Sequence, residues 1–140
     1  RIDVSQPLAT LQECSAAGVN DLSGRASENT PEISAAISLD HRAELFGRYE
    51  LNSVLDVAYQ DDQFRSGDLD PLGLQDAYTK ANLTLVLGPT AGNWDIALIG
   101  KNIFDEETFS YFNDTPVIEG SQQFIPDQPR TVGLRFRIRN

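Results

Sequence analysis

Any chemistry in this chain has to come from carboxylates and aromatic rings. Asp61, Asp62, Asp68, Asp70 and Asp76 stand in one short segment against a single Arg65. Asp68-Leu69-Asp70 offers the oxygen ligands that Ca²⁺ accepts, but the continuation Pro71-Leu72-Gly73 lacks the later acidic ligands of an EF-hand loop. Solvated loop charge is the weightier reading. A second segment, residues 105–128, carries Asp105, Glu106, Glu107, Asp114, Glu119 and Asp127 with no Lys or Arg, and adds Phe109, Tyr111, Phe112 and Phe124. Aromatics exposed on a long loop can contact a ligand; aromatics that fasten the loop to its scaffold are the more common arrangement. Asp68, Asp70, Phe109, Tyr111 and Phe112 are therefore the candidate ligand contacts, and so acidic a surround suits a neutral or cationic ligand better than a bare anion.

Other chemistries fail on inventory. His41 is the only histidine, it lies in a strand-like segment, and no Gly-x-Ser-x-Gly accompanies it, so a nucleophilic triad has no support. There is no P-loop and no Gly-x-Gly-x-x-Gly. Cys14 is the only cysteine, which rules out a disulfide within the chain and argues against a thiolate metal cluster. No catalytic residue, metal ligand set or cofactor is assigned, and the chain is read as not an enzyme.

The elements that must position these residues are bounded by composition. The 140 residues suffice for one ordinary domain. Eleven basic against 21 acidic residues give a net charge of −10. That balance argues against nucleic acid as a partner and against electrostatic docking on an anionic membrane face. Hydrophobic residues make up 40% of the chain, too many for a disordered tail. No apolar run reaches the roughly 18 residues of a membrane helix, and no leader pattern is present. With no Met and an opening Arg1, the sequence is expected to begin inside a longer polypeptide or after a processing cut.

The dominant period is two, the strand period. Ile33, Ala35, Ile37 and Leu39 alternate with polar or small residues, and so do Tyr49, Leu51, Leu55, Val57 and Tyr59. Ala81, Leu83, Leu85 and Leu87 repeat the pattern, as do Trp94, Ile96, Leu98 and Gly100, less cleanly because Ile99 falls on the polar side. The sharpest case is Val132, Leu134, Phe136 and Ile138 against Arg135, Arg137 and Arg139. Five strands are expected near residues 32–43, 48–60, 77–87, 94–104 and 131–139, with a short helical turn at 7–17. Short turns at 44–47 and 88–93 alternate with long segments at 61–76 and 105–130, and residues 1–31 read as another long loop. Short connections at one end and long ones at the other are the organisation of outer-membrane barrels.

Aromatic spacing gives a second test. Tyr49 and Tyr59, and likewise Trp94 and Phe104, share a parity and lie ten positions apart. At ~3.3 Å rise and ~40–45° tilt, ten residues climb about 24 Å, close to the ~25 Å apolar band of such barrels between its aromatic girdles. Spacing favours the barrel and leaves a soluble β-sandwich open, with the same aromatics as its core.

The end of the chain is more specific. Asn102-Ile103-Phe104-Asp105 follows a segment carrying Trp94, and Pro129-Arg130-Thr131-Val132-Gly133-Leu134-Arg135-Phe136 comes some twenty residues later. Upstream stand Asn29-Thr30-Pro31-Glu32-Ile33-Ser34-Ala35 and Asp56-Val57-Ala58-Tyr59 with Asp62 and Phe64. In this order and spacing the four motifs resemble the C-terminal end of TonB-dependent outer-membrane receptors. The chain departs from that pattern at its end, where Asn140 stands in place of the family's usual terminal aromatic residue.

The resemblance implies an all-β fold: antiparallel up-and-down strands, about five C-terminal strands of a transmembrane barrel of ~22. Residues 1–140 would be the C-terminal part of that barrel, with residues 1–31 an extracellular loop, five strands over 32–139, and no plug domain. It implies a Gram-negative outer membrane, uptake of a scarce nutrient such as a ferric siderophore, and TonB reached through a missing N-terminal region. The implied partners are the rest of the barrel and its plug, outer-membrane lipid and lipopolysaccharide, and a small nutrient ligand. Divalent ions bridging lipopolysaccharide phosphates to the acidic loops are an intermediate reading of Asp68 and Asp70. The polar strand face, with Arg135, Arg137, Arg139, Lys80, Asp56 and Glu50, would line the lumen and pair across strands or with the plug. The alternative function is a soluble, secreted all-β binding module, such as a carbohydrate-binding sandwich.

Overall fold

The computed structural model describes residues 27–115, 118 and 120–139. The helical turn expected at 7–17, Cys14 and most of the loop expected at 1–31 lie outside these residues. The fold is all-β and antiparallel. Its main sheet has the order β1-β2-β5-β6-β9, formed by β1 (Ser34–Leu45), β2 (Tyr49–Gln60), β5 (Tyr78–Pro89), β6 (Trp94–Lys101) and β9 (Thr131–Ile138). These are the five strands expected, each beside its neighbour in chain order. The sheet is open, and among the described residues nothing pairs with the outer edges of β1 and β9.

Local chemistry sets the short turns. Phe46 and Gly47 take φ of +53° and +64°, and the Arg48 N–H donates to the Leu45 carbonyl at 3.2 Å. Two central residues at positive φ make a type I′ turn, whose twist matches the flanking strands and which favours Gly at its second position. The β5–β6 turn closes with the Gly92 N–H on the Pro89 carbonyl at 2.8 Å, with Gly92 at φ +75°.

Register then sorts the side chains. Leu39 opposes Leu55, Leu55 opposes Leu83, Leu85 opposes Leu98, and Leu98 opposes Leu134. With a period of two, these pairs place the whole apolar parity of all five strands on one face. His41 falls on that face too, opposite Ser53. The face is largely open: Ile37, Leu39, Leu98, Val132, Leu134, Phe136 and Ile138 are all exposed, Leu134 by 71%. Tyr49, Trp94 and Phe136 form a row along it, with adjacent ring centroids 6.3 Å apart.

The opposite face carries the polar residues, cross-linked in places, together with Val54, Val86, Ala97 and Ile99. Asp95, only 5% exposed, opposes Arg137 and accepts from its Nε at 2.8 Å and from Arg139 Nη2 at 3.1 Å. Ser38 donates to Asp56, its direct neighbour on β2, at 2.6 Å. Cross-strand pairing of the polar face was the expectation, and these contacts meet it.

Two expectations are corrected. The fourth strand ends at Lys101 and does not run to 104. Asn102 turns the chain at φ +48° and Asp105 turns it again at +62°, so Phe104 is not a strand partner of Trp94 ten positions on. The long segments at 61–76 and 105–130 are not plain loops. The first holds β3 (Gln63–Phe64) paired with β4 (Leu74–Gln75), and the second holds β7 (Phe109–Asp114) paired with β8 (Gln122–Pro126). By internal contacts the described residues of 27–32, 61–77 and 108–127 form one compact unit, and those of 33–60, 78–107 and 128–139, which carry the five-stranded sheet, form the other.

Candidate functional site

The candidate residues all belong to the unit outside the main sheet. There β3 and β4 bracket a tight loop around Ser66, whose side chain is fully buried. Ser66 Oγ accepts the Asp70 N–H at 3.0 Å, and the Asp70 carboxylate caps the single 3-10 turn Pro71–Gly73 by accepting the Leu72 N–H at 2.8 Å. A Pro directly after a capping Asp is well suited to start such a turn, since it has no N–H to satisfy. Asp68 accepts the same Asp70 N–H at 3.3 Å. Leu69 between them holds φ +60° and is buried.

The second half of the unit is the β7–β8 hairpin. Its base is zipped by the Thr108 hydroxyl on Asp127 at 2.6 Å and the Asp127 N–H on the Thr108 carbonyl at 2.9 Å. The Phe112 N–H donates to the Arg65 carbonyl at 3.2 Å, and the Phe109 N–H to Gln75 Oε1 at 3.0 Å, which ties β7 to the first loop. A register shift at Ser110 breaks the alternation between Phe109 and Tyr111. Such a bulge re-aims side chains. Phe109 therefore joins Phe112 and Phe124, at 6.2 and 6.5 Å between centroids, while Tyr111 stands beside Ile125 across the hairpin.

This placement divides the candidate contacts. Tyr111 is exposed, and Phe109 is half-buried in the aromatic cluster. Phe112 is 7% exposed and packs over Gly73, so it is a packing residue and not an available contact. Asp68 and Asp70 are half-buried and come together with Asp114 from β7, a third carboxylate that the sequence did not bring to the first loop. One oxygen from each lies within 4.8 Å of the others. Three carboxylate oxygens are a donor set that a hard cation accepts, short of the ~6–8 oxygens Ca²⁺ takes. Partial burial, then the charge of Asp70 and of Asp68, pushes the Asp114 carboxyl above the usual carboxylate range.

Phe124 and Ile125 are exposed apolar residues that sequence reasoning did not single out as contacts. The signal that finds them is the aromatic and β-branched pair Phe124-Ile125, set between the Gly120-Ser121 turn signal and Pro126.

Charge is unevenly shared between the two units. The described residues of the first unit hold one basic residue, Arg65, and nine carboxylates, Glu28, Glu32, Asp61, Asp62, Asp68, Asp70, Asp76, Asp114 and Asp127. The sheet unit holds eight of each sign and balances. Among the described residues the whole charge imbalance, a net −8, thus belongs to the unit that carries the candidate contacts.

No protein-family model, no curated protein and no solved structure matches this chain.

Proposed function

We propose that the five-stranded sheet is a section of wall in a transmembrane β-barrel, within an outer-membrane receptor of the TonB-dependent kind. One observation carries the reading: register gathers the apolar-parity side chains of five consecutive strands on a single face, exposed along β1 and β9 and half-buried over most of the strands between. A face of that composition is costly in water and needs a partner. Lipid supplies one along all five strands at once, and the polar face then lines the lumen. The aromatic row Tyr49, Trp94 and Phe136 stands toward the short turns, where a girdle belongs. On this reading the acidic unit is extracellular, and the receptor's work is uptake of a scarce nutrient ligand.

The test is labelling of intact cells that express the full-length protein with Cys14→Ser and one added cysteine. Phe124→Cys should react with a membrane-impermeant maleimide, and Leu134→Cys should react only after detergent disrupts the membrane. Uptake of the nutrient should stop when the inner-membrane proton gradient is collapsed. A protein that fractionates as soluble and labels equally at both positions refutes the reading, and leaves the sandwich module to be pursued with carbohydrate ligands.

A further inference from the structure

We propose that the outer edge of β8 receives an extended, positively charged peptide, which adds to the β7–β8 hairpin as a third strand. The inference concerns the acidic unit alone and does not depend on the main sheet lying in a membrane. β7 is engaged on both sides, by β8 on one and by the Arg65 carbonyl and Gln75 side chain on the other. β8 pairs only with β7 among the described residues, and all five of its residues are exposed, Phe124 by 62% and Ile125 by 57%.

A free edge presents a row of N–H and C=O groups, which proteins usually blunt with Lys, with inward charges, with Pro or with a covering element. Residues 120–126 (GSQQFIP) carry no charge, and the only Pro closes the strand end, leaving Gln122 to Ile125 open. The side chains beside that edge are apolar on both faces. Phe124 lies with Phe109, and Ile125 lies opposite Tyr111. Main-chain bonding along an edge with alternate side chains in apolar seats is how strand addition binds a peptide.

Charge selects the occupant. Asp114 opposes Gln122 at one end of β8, and Asp127 follows Pro126 at the other. The described residues of the unit carry nine carboxylates against the single Arg65, a net charge of −8. An acidic strand is repelled there, while one carrying Lys or Arg is drawn in and held at both ends.

The test measures binding of a fluorescent peptide alternating lysine and valine to the native full-length protein, beside two analogues. One replaces lysine by glutamate, and the other is N-methylated at every second residue. The parent peptide should bind, more weakly as salt rises. Both analogues should bind at least about tenfold more weakly, and Ile125→Lys should weaken the parent peptide by a similar factor. Equal binding of the N-methylated peptide would reduce the effect to non-specific charge attraction and overturn the proposal. Equal binding of the glutamate peptide, or no binding of the parent, would overturn it as well.

Discussion

Leu134→Arg separates a lipid-facing sheet from a water-facing one by magnitude. Leu134 is 71% exposed, so within the chain it loses little packing when replaced. If the face meets water, the change belongs with exposed surface substitutions and costs about 0.5 kcal/mol or less. If the face meets lipid, depth decides the cost. Leu134 opposes Leu98, four residues along β6 from Trp94 in the aromatic row. Four residues span about 13 Å of strand, hence about 10 Å of depth at ~40–45° tilt, near the middle of a ~25 Å band. An arginine there costs ~2–4 kcal/mol. Gly133→Lys is the matched control: it lies on the polar face of the same strand, and no atom stands within 4 Å of where its Cβ would be. The assay is denaturant unfolding of the full-length protein in lipid vesicles, followed by intrinsic fluorescence. The reasoning predicts that Leu134→Arg lowers stability by at least about 2 kcal/mol more than Gly133→Lys. If the two variants fall within about 0.5 kcal/mol of each other, the apolar face does not meet lipid.

Three further outcomes follow from single contacts. Asn102→Ala removes an amide that donates to the Glu106 carbonyl at 2.9 Å and the Gln128 carbonyl at 3.3 Å and accepts the Glu106 N–H at 3.1 Å, at a position with φ +48°. The loss should be about 2 kcal/mol or more and local, read as faster amide exchange at Glu106; Asn102→Gly should recover only the backbone part. Gly73→Ala places a Cβ 2.8 Å from Ser66 Oγ and 2.9 Å from Phe112 Cδ1, so overpacking should cost ~1–3 kcal/mol and speed tryptic cleavage at Arg65. Asp114 titrates above the usual range because of burial, then Asp70, then Asp68. A raised folded pKa adds stability that is complete below the unfolded value near 3.9 and is lost as pH rises through the folded value. Asp114→Asn should therefore raise the unfolding midpoint slightly at pH 7, by about 0.5 kcal/mol or less for so exposed a group, and flatten the gain seen on acidification.

The main sheet was legible because its pattern is redundant. Tyr49 to Tyr59 repeats one parity over eleven residues, and Val132 to Ile138 repeats it against three arginines. A helix bearing either pattern would scatter charge around its whole surface. The end of β6 was not legible by the same rule. Parity continues through Phe104, and the interruption comes from Asn102, whose amide satisfies three backbone groups and holds a positive φ. Asn is one of the few non-glycine residues that accept this conformation. The acidic unit was half legible. Its charge and aromatics were visible, yet Asp114 reaches Asp68 and Asp70, and Phe112 reaches Gly73, only because two separate excursions of the chain pack together. The bulge at Ser110 then changes which aromatics share a face, and no sequence period reports it.

The motifs behind the resemblance have a mechanical role that similarity alone does not supply. Asp105 accepts the Arg130 N–H at 3.2 Å and pairs with its guanidinium at 3.1 Å. Asn102 bonds Gln128 from the other side of the same gap and takes the Asn82 side chain on its own N–H at 3.1 Å. The Asn-Ile-Phe-Asp and Pro-Arg-Thr segments thus form one neck, which closes the excursion from 105 to 130 and delivers Thr131 into register with Lys101. A sheet whose strands alternate between tight turns and long excursions has no turn geometry to fix register at the excursion end. A buried asparagine and an exposed ion pair are a local substitute.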